Sequence, residues 1–430
     1  KAIWPVSKES RLAILGFGKT GQASLELLLE LGWDRRNLAV WDEESKLDPV
    51  DFQDPKALIS QFKPQAFLVS PGVPPGCGWV SKLPRDILFS ELDLAFSQLK
   101  EEIVVGITGS AGKSTTTSLL GEALRVQGED FFMGGNLGIP VAKYALDLIR
   151  GGNRSRVLCL EISSYQLENF RGAFDYSAIV SLHPNHLDRY RNLDHYYETK
   201  WRILQKTKKM AFLASDGGDL RDFALRQSQL SICHWVEPTP RTECLALLGQ
   251  KNRQNHALAT KLAEALGISP AAMRALAEFP GLPHRFENCG KGLGCLWIND
   301  SKATSVEALN SSLQTALEIF PELRICVLLG GKDKSLNWEK VQSHRSVEFI
   351  FFGEAGAKAQ QTLHSSGLFY SQLTTALQDW KTWLKKGDEV LHSPGGGSQD
   401  EFKNFEDRGI YFKNVVQNLL SEEIPTSTFN

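Results

Sequence analysis

At 430 residues with 42% hydrophobic content, the chain has room for about two to four domains with packed cores. Its 48 Lys plus Arg against 50 Asp plus Glu leave a formal charge of −2, which excludes a global field for nucleic acid or an anionic membrane. Seven cysteines scattered without a C-x-x-C pair, no run near the ~20 apolar residues of a membrane span, and a start, "KAIWPVSKESRLAIL", without a cleavable apolar leader predict a reduced, cytoplasmic chain with no membrane insertion.

"RLAILG" (11–16) predicts a buried strand, "TGQASLELLLELG" (20–32) a helix stopped by glycine, and "NLAVWDEE" (37–44) a second strand, together a βαβ unit. "AFLVS" (66–70) reads as the next strand, followed by the turn-rich "PGVPPGCG", and this first part closes near residue 95. A second α/β stretch runs through "EIVVGITG" (102–109), "RVLCLEIS" (156–163) and "YSAIVSLHP" (176–184), each an apolar run followed by polar residues. Ligands of open parallel sheets sit at the carboxyl ends of strands, so a site is expected there. After "GLPHRFE" (281–287) the alternation restarts with "LWIND", "RICVLLGGKDKS", "VEFIFFGE" and "DEVLHSPGGGSQDEF". The expected fold class is α/β in three domains, residues 1–95, 96–282 and 283–430.

"VVGITGSAGKSTTTSLL" (104–120) carries the plainest chemistry. Backbone N–H groups around Gly109 and Gly112 and a helix N-terminus suit phosphate oxygens, the Lys113 ammonium suits outer phosphates, and the Ser114 hydroxyl suits Mg²⁺. Ile107 stands where the full phosphate-loop pattern has glycine. Glu161, ending an apolar run, is the carboxylate for the metal, and "HPNHLDRY" (183–190) adds His183, His186 and Asp188 in a loop. Lys200 in "YYETKWRIL" reads, on spacing alone, as a lysine on a solvated helix face. "GFGKTG" (16–21) with Asp42 at the next strand end fits NAD or a UDP-type ligand equally. In the last third His284, Arg285, Asp300, Lys302, Thr304, Lys332 and Lys334 fall at successive strand ends, suited to phosphate and an anionic small substrate.

The series "GSAGKSTTT", "GGNLG", "LEISSYQLE", "NHLDRY", "KNRQN", "GLPHRFE", "INDSKATS", "LLGGKDKS" and "SPGGGSQDEFKNFEDRG" resembles the Mur ligases over nearly the whole chain. The resemblance implies a Rossmann-like UDP-binding domain, a central P-loop-type ATPase domain and a Rossmann-like C-terminal domain. It implies ATP-dependent addition of D-glutamate to UDP-N-acetylmuramoyl-L-alanine through an acyl phosphate, releasing ADP and phosphate, in peptidoglycan precursor synthesis by a monomer. Residue by residue, Gly109, Gly112, Lys113, Ser114, Thr115, Asn252, Asn255, Arg285 and Asp300 would bind ATP. Ser114, Glu161, His186 and Lys200, the last as a carbamate, would hold Mg²⁺. Gly18, Thr20, Asp42, Ser70, Asn136, Ser163 and His186 would meet the UDP substrate, and Thr304, Lys334, Ser398 and Phe405 the amino acid. The catalytic set is Lys113, Glu161, His186, Lys200 and Arg285. Ala111 replaces an asparagine, and "SPGGGSQD" replaces a segment usually reading Ser-Pro-Ala-Cys-Ala-Ser, with Gln399 at a commonly apolar place. That change leaves L-glutamate or another acceptor as the alternative, with an NAD-dependent oxidoreductase as a further one.

Overall fold

The computed structural model describes residues 4–45, 47–74, 78–184, 190–228, 231–243, 247 and 249–422. Three sheets organise them. The first takes β1 (Leu12–Leu15), β2 (Leu38–Trp41), β3 (Ala66–Val69) and β4 (Leu88–Phe89) in the order β2-β1-β3-β4, all parallel. The second takes β5 (Ile103–Thr108), β6 (Phe131–Gly135), β7 (Val157–Glu161), β8 (Phe174–Ile179), β9 (Thr207–Ala214) and β10 (Cys233–Val236), ordered β10-β9-β8-β5-β7-β6 and again all parallel. The third takes β11 (Glu287–Gly292), β12 (Cys295–Asn299), β13 (Ile325–Gly330), β14 (Val347–Phe352), β15 (Phe369–Tyr370) and β16 (Glu389–Gly395), ordered β11-β12-β16-β13-β14-β15. Only β11 of this sheet runs antiparallel to its neighbour.

Central parallel strands are covered on both faces and therefore read as continuous apolar runs. β7 and β13 are buried at every position, and so were visible in the sequence. β8 starts at Phe174 and stops at Ile179, so Val180 to Pro184 form a loop where a longer strand was expected. Gly106 is small for a packing reason, since a Cβ there would lie 2.7 Å from the Phe174 ring.

The chain divides into two compact units, Lys1–Cys244 with Lys251–Ala277, and Leu245–Gln250 with Glu278–Asn430. The first unit carries the first two sheets. There the helix Glu91–Phe96 sends the buried Glu91 carboxylate to the Ala142 N–H at the start of the helix Val141–Ile149. On the same helices' flank, Lys143 and Arg150 pair with Glu26 of the helix Lys19–Glu30. The second unit is built around Trp297, Trp383 and Phe412 on one side of the third sheet and Leu309, Leu313 and Trp338 on the other. Among the described residues no helix is long and apolar enough to cross a membrane.

Candidate active site

β5 delivers the chain to the loop Gly109–Gly112, and the helix Lys113–Gln127 leaves it. Ile107 is fully buried inside β5 and its carbonyl accepts the Ile162 N–H, so the strand runs on past the place where other phosphate loops already turn. The turn falls instead on Gly109, with φ +155°, and Gly112, with φ +81°. Gly112 has no room for a side chain: a Cβ would stand 2.4 Å from Asn255 Oδ1. Ser181, in the loop after β8, fixes the turn by accepting the Ala111 N–H at 3.0 Å and donating to the Ala111 carbonyl at 3.1 Å. Ser110 donates to the His183 carbonyl at 3.0 Å and accepts its N–H at 2.9 Å.

Two lysines converge on this turn. Lys113 Nζ and Lys200 Nζ each donate to the Gly109 carbonyl at 2.9 Å. Lys200 is 2% exposed, which corrects the solvated-face reading drawn from its spacing: the helix Leu193–Gln205 turns it inward, over the Tyr196 ring at 4.9 Å. Burial pushes its amine well below the ordinary lysine value, the Lys113 ammonium adds to this, and Glu161 opposes it.

Glu161 ends β7, and its carboxylate is gripped from both sides. Ser114 Oγ donates to Oε2 and Asn136 Nδ2 to Oε1, each at 2.5 Å. Gly135 keeps this approach open, since a Cβ there would lie 2.4 Å from the Glu161 carbonyl. Thr115 is half-buried beside Ser114. Asn252 and Asn255 lie on one helix and are joined by a 3.2 Å hydrogen bond, with Asn255 buried against Gly112. His183 is shifted below its usual value by burial and the Lys251 charge. His186 and Asp188 lie outside the described residues. Among the described residues no group of three or more His, Cys, Asp and Glu is placed to hold a metal. Glu161 offers a carboxylate and Ser114 a hydroxyl, hard oxygen donors of the kind Mg²⁺ takes.

In the first sheet the turn after β1 is a cradle of the same kind. A Cβ on Gly21 would stand 2.0 Å from the Gly16 carbonyl, and Ser70 Oγ donates to that carbonyl at 2.9 Å. Asp42 Oδ2 accepts the Phe17 N–H at 2.6 Å while Oδ1 accepts those of Glu44 and Ser45. Burial opposes ionisation of Asp42, but these N–H groups outweigh it and lower its pKa. Gly18 forms the N-cap of the following helix, with Thr20 half-buried in its first turn. Ser163 caps the helix Ser164–Leu167 in a reciprocal pair with Gln166.

In the second unit Arg285 sits between His284, φ +63°, and Phe286, φ +48°. Two residues with side chains held in the left-handed region on either side of Arg285 are costly. The turn is held by the Phe286 N–H to Asp300 Oδ1 at 3.0 Å and by Asn299 Nδ2 on His284 Nδ1 at 3.0 Å. Burial pushes Asp300 up to about 6 against donation from Ser312 and Ser393. Lys302 Nζ lies 4.0 Å over the Phe405 ring. Thr304 is half-buried, Ser398 is buried, and the Lys334 side chain runs beside Gly397. The buried Arg408 donates to the Gly397 carbonyl at 2.8 Å and the Ser301 carbonyl at 2.9 Å, fixing the glycine loop. Sequence reasoning assigned nothing to Ser181, Tyr196 or Arg408. Arg408 had a signal in the quoted "FEDRG", whereas Ser181 becomes visible only when the loop after β8 meets the loop after β5.

Residues 107–233 match the family model described as the Mur ligase middle domain. A UDP-N-acetylmuramoylalanine–D-glutamate ligase of Desulfovibrio desulfuricans is 35% identical over 370 residues, 84% of this chain and 82% of that protein. Another, from Novosphingobium aromaticivorans, is 33% identical over 439 residues, covering 96% and 95%. Among solved structures, MurF of Thermotoga maritima in complex with ADP superposes with a TM-score of 0.56 at 18% identity, covering 96% of each chain. MurC of the same organism gives 0.54 at 16%, covering 96% of this chain and all of that one. The structures speak for the fold, and the sequence relatives for the lineage: the chain belongs to the Mur ligase family.

Proposed function

We propose that this protein is an ADP-forming ligase that joins D-glutamate to the carboxylate of UDP-N-acetylmuramoyl-L-alanine in peptidoglycan precursor synthesis. The observation that carries the reading is the convergence of Lys113 and Lys200 on the Gly109 carbonyl, both at 2.9 Å, beside a Glu161 carboxylate gripped by Ser114 and Asn136. A carboxylate is a poor electrophile until one of its oxygens leaves as phosphate. ATP supplies that phosphoryl group, the substrate carboxylate takes it, and the D-glutamate amine displaces phosphate from the acyl carbon to form the amide. Each partner is anionic, so cations that hold them together do most of the work.

Lys113 and the N–H groups of the Gly109–Gly112 turn are assigned to the phosphates, with Thr115 beside them, and Asn252 and Asn255 to the adenine. Arg285 is assigned to the transferring phosphate and Asp300 to the ribose. Ser114, Glu161, His186 and a carbamate on Lys200 would hold Mg²⁺, which supplies charge neutralisation at the phosphates. Lys200 is suited to carbamate formation because burial favours its neutral amine: the nitrogen adds to carbon dioxide and the displaced proton leaves to solvent. Gly18, Thr20, Asp42, Ser70, Asn136, Ser163 and His186 are assigned to the UDP substrate, and Thr304, Lys334, Ser398 and Phe405 to D-glutamate. We assign three domains, 1–95, 96–282 and 283–430, in a cytoplasmic monomer.

The test is phosphate release with Mg-ATP and UDP-N-acetylmuramoyl-L-alanine, adding D-glutamate, L-glutamate or neither. Release that requires D-glutamate is expected. Release with L-glutamate alone would keep the chemistry and move specificity to Gly395–Gln399, and no release with either would overturn the reading.

A further inference from the structure

The second sheet has a cleft at the edge opposite the phosphate turn. Phe170 and Arg171 lie just before β8, and Gln205 and Lys206 just before β9, so all four stand at strand amino ends, whereas Gly109 and Glu161 stand at carboxyl ends. Here a cavity of about 470 Å³ opens between these segments, the residues before β4 and the turn at Glu168. Its volume is within the roughly 300–1,000 Å³ of small-molecule sites.

The charges facing it are unbalanced. Arg85, Arg171, Arg202 and Lys206 line the cavity against the carboxylates of Asp86 and Glu168. Among the described residues none of these four cations forms an ion pair within 4.0 Å. Arg171 spends one nitrogen on the carbonyls of Arg85, Asp86 and Leu88, at 2.8, 2.9 and 3.1 Å. Arg202 donates to the Glu168 carbonyl at 3.4 Å. Lys206 lies 5.6 Å over the Phe170 ring. Burial lowers the Lys206 pKa, opposed by the Asp93 charge and reinforced by Arg202 and Arg171. The Tyr190 hydroxyl donates to Glu168 at 2.7 Å, which occupies part of that carboxylate. Cations at the end of the helix Leu193–Gln205 complement its dipole, but Arg85 and Arg171 belong to other segments and answer to nothing in that helix.

We propose that this cleft is a binding site for a small phosphate-bearing anion, separate from the nucleotide and UDP-substrate sites. The Arg85 and Arg202 guanidinium groups offer paired N–H donors to phosphate oxygens and the Lys206 ammonium supplies a point charge, the usual division of labour in phosphate recognition. Its place at the amino edge of the sheet suits a regulator, since no reacting group described above lies there.

The experiment is calorimetric titration of the full chain with inorganic pyrophosphate, in EDTA and with ADP and UDP present to occupy the other two sites. The parent is expected to show a saturable site that the double variant Arg202→Gln/Lys206→Gln weakens at least about tenfold. Arg85→Glu, on the exposed rim where the fold is not at stake, is expected to weaken it about as much. No saturable heat in the parent at millimolar pyrophosphate would overturn the proposal. Equal affinity in the parent and Arg85→Glu would overturn it as well, by placing the anion elsewhere.

Discussion

Lys200 is the residue whose surroundings depart furthest from its chemistry. A fully buried ammonium beside a second lysine is unstable as a cation, and the Glu161 carboxylate does not offset the burial. Replacing it removes both the amine and anything built on it: Lys200→Ala is expected to lower turnover by about 10²–10³-fold or more. A small carboxylate such as acetate should restore part of that loss, and a steady-state assay with and without acetate checks both effects. Unchanged activity would remove Lys200 from the metal site. Gly112 makes a complementary case, because its φ of +81° and its 2.4 Å clearance to Asn255 each forbid a Cβ. Gly112→Ala is expected to cost about 1–3 kcal/mol of stability and to weaken ATP binding. Urea unfolding and nucleotide titration on the same variant measure the two separately.

Among elements, the short helix Glu91–Phe96 has an effect out of proportion to its length. Glu91 is buried, and burial, with Asp93 adding its charge, pushes it up to about 7 even though it accepts N–H groups at the start of the helix Val141–Ile149. In the unfolded chain its carboxyl titrates near 4.5. Between those values the folded state binds the extra proton, so this group's contribution is full below pH 4.5 and is lost as pH rises through 7. Glu91→Gln keeps an acceptor oxygen without the charge. Its stability difference from the parent should therefore move in the variant's favour by about 1–3 kcal/mol between pH 4.5 and 8. Urea midpoints at the two pH values decide, and parallel midpoints would exclude the effect.

The same scale shows what could be read beforehand. β5, β7, β13 and β14 are apolar because both faces are covered, and their order was legible. β11 was not, since "ENCGKG" is a half-exposed edge strand running against its neighbour, and β9 was hidden by the exposed "TKK" at its start. At the site, the turn glycines, Lys113 and Glu161 carried local signals. The burial of Lys200 had none, because it depends on Gly109, 91 residues away in sequence. Ser181 and Arg408 act on backbone carbonyls and N–H groups, and no pattern in sequence marks a side chain that serves another segment's backbone.

For the whole molecule, five cysteines are described and all are free thiols. Cys159, Cys289, Cys295 and Cys326 are buried in separate strands, and burial raises each of their pKa values, Cys289 to about 12. Thiolate is the reactive form, so at least these four are expected to resist a thiol reagent until the chain unfolds. A count of reactive thiols in native buffer and in denaturant tests this, and a native count above three would contradict the packing.

The glycine loop after β16 is locked to the loop after β13. Gly395 has φ +71°, and a Cβ on Gly396 would lie 2.4 Å from the Gly330 carbonyl, so both positions resist a side chain, whereas a Cβ on Gly397 would meet the movable Lys334 side chain at 2.8 Å. Gly331, φ +100°, closes the other side, its Cβ position 2.1 Å from the Gly397 carbonyl. Ala-Cys-Ala in place of Gly395–Gly397 would therefore require the two loops to separate, because the Gly330 carbonyl lies where a side chain added at Gly396 would go. The two loops are interlocked, and a swap of this segment should keep the fold only when both loops are exchanged together.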